Sequence, residues 1–306
     1  MNKHTQRRYD KIKTFLEEKN FNGFTKKHLF IMTFIKKGWG QDIAALSNMA
    51  EALVNISIKH SRKHHEAAQL IDSLVKRAIH PKVNPYHKNI LKIDNLGKYG
   101  YYLEHLNIIL GCYKKITGKD TYKDFNKKIS LHLLDNSMRY KNLHADLLPH
   151  VKMKWSADQA AILYSLWLFD QNFNTNISND IINKWLYYME NFGTDKKTGL
   201  YKTEVLGTRQ YSRHPRGCAM AYLLHYMGRF KPELAKFKWI IFKKHMKKKF
   251  LGLTGFREYL EDYKGRWTPD SGPIIKGVGV AASGLAMNTA STVGDFKTFE
   301  ELDRSI

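Results

Sequence analysis

Apolar positions recur three and four residues apart over long stretches of this chain, the spacing that gathers them on one face of an α-helix. Runs alternating apolar with polar, which would signal strands, are scarce. The helical pattern itself repeats. Five times a loop rich in Gly, Asp or Pro feeds a helix of small and apolar residues: GWGQDIAALSNMA, GKYGYYLEHLNIIL, WSADQAAILYSLWLF, PRGCAMAYLLHYM and SGPIIKGVGVAASGLAM. Anchored at Asp42, Gly100, Asp158, Gly217 and Gly277, these segments follow one another at intervals of 58, 58, 59 and 60 residues. Such even spacing is the mark of a structural repeat.

Each small-residue segment leads into a more charged, amphipathic one, including SRKHHEAAQLIDSLVKRAI, TYKDFNKKISLHLLDNSM, NDIINKWLYYMENF, KPELAKFKWIIFKKHM and the short FKTFEELDRSI. A helix that is apolar all round is packed on many sides, whereas an amphipathic helix keeps one wet face. Their alternation predicts an all-α fold, an (α/α)6 toroid in which inner helices line a cavity and outer helices shield them. Two further helices, over 8–19 and 26–37, complete six pairs. The chain is therefore expected to form one domain, 1–306, with the N-terminal pair in 1–37 and five inner/outer repeats in 38–306. An open α-solenoid is the competing arrangement, but the inner helices are too apolar to face a groove.

The stretch TPDSGPIIKGVGVAASG, 268–284, interrupts this helical character with glycine. It has neither the GxxxxGK[ST] of a phosphate-binding loop nor a preceding strand for a dinucleotide fingerprint. Ile274, Ile275, Val278 and Val280 are too apolar for a linker. Glycine costs about 1 kcal/mol in a helix interior, so Gly277, Gly279 and Gly284 at near-helical spacing predict close backbone approach at the centre of the ring.

In a closed ring the loops before the inner helices share one rim, and polar residues gather there. Asp158 and Asp270 are the candidate acid/base carboxylates, with Tyr211 or His214 as proton relay and Cys218 as the thiol nearest the rim. Arg213 and Arg216 would fix a substrate oxyanion or carboxylate. Trp155 and Trp267 would supply stacking walls, and Tyr101, Asp42 and Glu258 complete the substrate-binding set. Structural roles compete for several of these residues. Asp158 can cap its helix, Asp270 can hold a turn, Arg216 can pair with an acid to close the ring, and a buried Cys218 can be inert packing.

With WSADQAAILYSLWLFD, DKKTGL, HPRGCAMAY and DSGPIIKGVGVAASGLA quoted together, the chain resembles the linalool dehydratase/isomerase-like family over residues 99–295. The resemblance implies a six-pair α/α barrel, acid/base chemistry without metal or organic cofactor, and an active site closed by a neighbouring subunit of a homo-oligomer. The family relies on cysteines together with Tyr, His and Asp. Here the stretch Trp155-Ser156-Ala157-Asp158 carries no thiol, and Cys218 alone lies near the rim. That departure points away from a terpene alcohol and toward a hydrophilic small molecule or glycan. A glycan hydrolase or polysaccharide lyase on the same scaffold is the alternative, and a catalytically dead relative serving in assembly is another.

Composition narrows the classes further. The formal net charge is +23, which suggests either an anionic partner or solvated lysines spread over the whole surface. The dense run KFKWIIFKKHMKKKF, 236–250, reads as a surface helix with Phe237, Ile240, Ile241 and Met246 on its packed stripe. It is the candidate contact with an anionic membrane surface, which a non-catalytic module would use. Scattered lysines without a compact basic-aromatic motif argue against sequence-specific nucleic acid. Two cysteines without a CxxC build no disulfide framework or zinc site. The basic start runs into Asp10, Glu17 and Glu18 without an apolar core, and no stretch is long enough to cross a membrane. A cytoplasmic or membrane-peripheral location is expected.

Overall fold

The computed structural model describes residues 1, 3–17, 39–212, 214–250, 252–263, 265–268 and 270–305. Among them are eleven α-helices and three short two-stranded hairpins, an all-α protein with small β additions. The expected helix over 26–37 lies outside the described residues. The chain divides into two compact units: Met1–Leu134 with Leu147–Pro149 and Leu168–Asn176, and Asp135–Asp146 with His150–Trp167 and Ile177–Ile306.

The first unit contains α1 (Lys3–Glu17), α2 (Trp39–Lys59), α3 (His64–Ala78) and α4 (Gly100–Thr117). Helix α4 is buried on nearly every side, as its small-residue pattern predicts, and α2 packs directly against it. Helix α3 packs on both and buries Ala67, Leu70, Ile71, Leu74, Val75 and Ala78, a single face at three- and four-residue spacing. Several polar side chains inside this core are paired. Asn107 donates to Ser130 at 3.0 Å and accepts from Asn126 at 2.6 Å, and Tyr102 Oη donates to the carbonyl of Ala78 at 2.9 Å. Asn126 and Ser130 stand on α5 (Lys123–Met138).

The second unit includes most of α6 (Ser156–Phe173), then α7 (Asn179–Tyr188), which ends in a π-turn over Met189–Gly193. Next come α8 (Gly217–Phe230), α9 (Pro232–Met246), α10 (Val280–Val293) and α11 (Phe296–Asp303). Helices α8 and α10 pack closely, and Thr289 Oγ1 donates to the carbonyl of Ala221 at 2.6 Å. Helix α9 opens on Pro232 and Glu233 and closes on Lys243, Lys244 and His245, matching its dipole at both ends. The hairpins are β1 (Lys154–Trp155) with β2 (Glu204–Val205), β3 (Lys247–Phe250) with β4 (Leu253–Phe256), and β5 (Ile274–Ile275) with β6 (Val278–Gly279), all antiparallel.

Two sequence expectations are corrected here. The helical run expected over 236–250 stops at Met246, and 247–250 form strand β3. Its packed stripe is Ala235, Trp239, Phe242 and Met246, at successive spacings of four, three and four, while Phe237 and Ile240 are 58% and 63% exposed. The three-ring stack of Trp239, Phe242 and Phe256 explains the choice, because only that face meets the aromatic side of β4. The glycines of 277–284 do not form one helical stripe either. Helix α10 begins only at Val280, and Lys276 and Gly277 form the two-residue turn of the β5–β6 hairpin, both left-handed at φ 49° and 86°. Hairpin turns of this hand favour glycine, which adopts positive φ without a Cβ clash. Gly284 lies within α10 with open space beside it.

Candidate active site

Sequence-distant stretches of the second unit meet at the start of α8. The residue Gly217 opens that helix where the chain runs against residue 257, and a Cβ there would stand 1.9 Å from the Arg257 carbonyl oxygen. Glycine is therefore obligatory at this approach. The contact is locked by the Gly217 N–H donating to the Glu258 carbonyl at 2.8 Å and the Glu258 N–H donating to the Gly277 carbonyl at 3.1 Å.

This backbone clamp buries Glu258 completely beneath the helix start. Its Oε2 accepts the N–H of Cys218 at 3.2 Å, a carboxylate on the positive end of a helix dipole. Its Oε1 accepts from Arg216 Nε at 2.9 Å and from the Cys218 thiol at 3.0 Å. Burial pushes the Glu258 carboxyl above its ordinary range, against the pull of the thiol and the Arg216 charge. Burial also pushes the Cys218 thiol well up, and the charge of Glu258 adds to it. At neutral pH Cys218 is therefore a thiol that donates to Glu258, because burial and the Glu258 charge outweigh the pull of Arg216 toward a thiolate.

The Arg216 guanidinium is divided between the buried carboxylate and the outside. While Nε is held by Glu258, Nη2 donates to Thr268 at 2.7 Å and Nη1 lies 3.6 Å from the half-buried carboxylate of Glu204. The ring of Tyr259 lies 5.7 Å from its central carbon. Burial opposes the charge, but the Cys218, Glu258, Tyr259 and Glu204 groups outweigh it and hold the Arg216 pKa above its ordinary value. The backbone joins in, since Arg216 N–H donates to Thr203 Oγ1 at 3.0 Å.

Strand β2, which carries Glu204, pairs with β1, and Trp155 stands opposite Glu204 in the register. Ser156 ties the start of α6 to the same stretch, its N–H donating to the Thr203 carbonyl and its hydroxyl to the Lys202 carbonyl, both at 3.1 Å. Asp158, in the first turn of α6, is thereby anchored two residues from this junction and is half-buried. Asp270 is exposed, and its charge reaches Cys218. Trp267, beside Thr268 in the chain, is 59% exposed.

Of the residues selected from sequence, the structure brings together Arg216, Cys218 and Glu258, with Asp270 within electrostatic reach and Trp155 across the hairpin from Glu204. Tyr211 pairs by its backbone with Val205 of strand β2, next to Glu204, while its ring lies 6.4 Å from that of Tyr188 and its hydroxyl 3.8 Å from Met189 Sδ; burial raises its pKa. His214 stacks on Tyr263 with ring centres 4.2 Å apart. Arg213 lies outside the described residues. Asp42 and Tyr101 belong to the first unit, where Asp42 sits in the first turn of α2 and Tyr101 meets His105 edge-on at 4.9 Å. Thr268 was not singled out in the sequence, because a threonine before proline carries no chemical signature of its own. Nor was Lys154, whose buried ion pair with Asp146 at 2.5 Å supports strand β1.

Among the described residues, no group of three His, Cys, Asp or Glu side chains is placed to hold a metal ion. No described helix is long and apolar enough to cross a membrane. No protein-family model matches the chain, and no curated protein matches it.

Proposed function

We propose that the protein is a cofactor-independent acid/base enzyme, of lyase/isomerase or hydrolase type, acting on a polar substrate that carries a carboxylate or other oxyanion. The observation that carries this reading is the Arg216 fork. One side is fixed on the buried carboxylate of Glu258, and the other is directed to Thr268 and the half-buried Glu204. A guanidinium oriented in this way is prepared to receive a planar anionic group. Asp158 and Asp270 act as acid and base, and Glu204 is a third carboxylate beside the guanidinium. Cys218 and Glu258 position Arg216, with the thiol contributing a proton donor. His214, Tyr211 and Arg213 are relay and binding groups in this scheme.

We also propose that the helices complete an (α/α)6 toroid. Its support is that, in each unit, small-residue helices pack directly on one another (α2 on α4, α8 on α10) and on their amphipathic successors. The resemblance to linalool dehydratase/isomerase-like proteins adds a neighbouring subunit that closes the site. A sugar substrate has specific support in Trp155 opposite Glu204 and the exposed Trp267 beside Thr268, since aromatic faces next to carboxylates suit a hydroxylated ring. If the enzyme is a glycosidase, the separation of the two working carboxyls sets retention or inversion.

The test is incubation of the full chain in D2O with uronate-containing oligosaccharides, hydroxy acids and terpene alcohols, read by mass spectrometry for deuterium uptake or product. Turnover of an anionic substrate that Arg216→Gln and Asp270→Asn each reduce at least a hundredfold, with folding intact, supports the proposal. Turnover untouched by both changes, or no turnover or exchange with any of the panel, overturns it.

A further inference from the structure

The β3–β4 and β5–β6 hairpins are joined, and the face they share is neither a packed surface nor an ordinary polar one. Within β3–β4, Phe250 stands opposite Leu253 and Lys248 opposite Gly255, so Lys248, Phe250 and Leu253 project to one side. Thr254 and Phe256 project to the other, where they are buried. A Cβ at Gly255 would meet the Val278 side chain at 2.5 Å, which places β6 against that same outward face. Ile275 stands opposite Val278 and so shares its side. Lys276, at the tip of β5–β6, lies over the Phe250 ring at 4.6 Å, and Lys248 Nζ donates to its carbonyl at 2.7 Å.

The result is an apolar knob rimmed by cations. Leu253 and Ile275 are 52% and 64% exposed, and Val280, next in the chain after β6, is 55% exposed. Lys248 and Lys276 make no ion pair among the described residues, whereas Lys247, facing the other side, is paired with Glu301 at 2.5 Å. Helix α9, which leads into β3, itself exposes Phe237, Ile240 and Lys244, and its Lys236 is paired with Glu233 at 2.8 Å.

We infer that this two-hairpin face docks the protein on an anionic lipid bilayer. Aliphatic tips enter the headgroup boundary while the lysines meet lipid phosphates and carboxylates, the combination that surface-bound proteins use. Nucleic acid fits less well. A single-stranded partner calls for aromatic stacking platforms, whereas the exposed hairpin residues Leu253 and Ile275 are aliphatic and the Phe250 ring is half-buried with Lys276 over it. A second copy of this chain would bring like charges together around the knob.

The experiment is co-sedimentation of the full chain with phosphatidylcholine vesicles, with and without phosphatidylserine, over a salt series. The expected result is binding to the anionic vesicles alone, weakening as salt rises. A Leu253→Ser/Ile275→Ser variant and a Lys248→Gln/Lys276→Gln variant should each bind about tenfold more weakly without change in melting temperature. Because a hairpin variant can misfold, hydrogen exchange on the unaltered chain gives an independent reading, with slower exchange over 247–256 and 274–279 when anionic vesicles are present. Equal binding to neutral and anionic vesicles, or no protection of those segments, overturns the inference. So does retention by DNA at the same strength with Leu253 and Ile275 replaced, or self-association that the same replacement abolishes.

Discussion

Two ion pairs in the second unit are both buried, yet they differ in how completely their charges are used. Lys154 meets Asp146 at 2.5 Å and lies 3.6 Å over the Tyr140 ring, whose hydroxyl donates to the same carboxylate at 2.6 Å. The Asn136 side chain brackets the Asp146 backbone, donating to its carbonyl at 3.1 Å and accepting from its N–H at 3.3 Å. That pair is closed around itself and holds the strand presenting Trp155. Arg216 and Glu258 are buried in a similar way, but the guanidinium spends only its Nε on the carboxylate and turns the rest toward half-buried groups. A closed pair specifies structure. An open one divides its donors among several groups at a fixed position, here Glu258, Thr268 and Glu204, and this contrast is why the candidate site is placed at Arg216.

Breaking the closed pair should produce the largest change in stability. Lys154→Met leaves the buried Asp146 charge without its cation and should cost about 3–5 kcal/mol in a urea melt, much of it recovered in Lys154→Met/Asp146→Asn. A smaller loss per titrating group is expected on acidification. Burial holds His144 at a pKa of about 3, with the Lys154 charge adding to the effect, and burial likewise holds His105 at about 3 in the first unit. The unfolded chain takes up these protons near pH 6.5 while the folded chain refuses them until about pH 3. Stability should therefore fall as pH drops through that window, by roughly 3 kcal/mol per imidazole at pH 4. A His144→Phe chain with the same pH slope would show that this imidazole does not titrate on unfolding.

Glu258→Gln tests the open pair. It keeps an acceptor for Arg216 and Cys218, so stability should drop by about 1–2 kcal/mol while turnover falls at least a hundredfold. A loss as large as that of Lys154→Met, with activity tracking the folded fraction, would make the two pairs equivalent. Glu204→Gln should be mildest for the fold, within about 1 kcal/mol, and, by removing a negative charge beside Arg216, should tighten binding in a titration with an anionic ligand.

The repeat and the helix starts were legible because they rest on local rules. Helix α4 begins at Gly100 and α8 at Gly217, and Asp42 and Asp158 fall in first turns. The last repeat was misread because Gly277 serves a hairpin turn, and helix and hairpin both use small residues at that density. Arg216, Cys218 and Glu258 could be nominated by residue type. Their mutual geometry could not, since Glu258 lies 40 residues beyond Cys218 and reaches it only through the clamp at Gly217. Lys154 escaped notice because a lysine in a basic chain reads as solvated until its partner is seen.

The clamp on Glu258 extends further than its carboxylate. Its amide hangs from the Gly277 carbonyl and its own carbonyl holds the Gly217 amide, so a single residue is the fulcrum between the exposed hairpin tip and the first turn of α8. The carboxylate that holds Arg216 Nε hangs from that joint, so the hairpin turn and the helix start share one anchor.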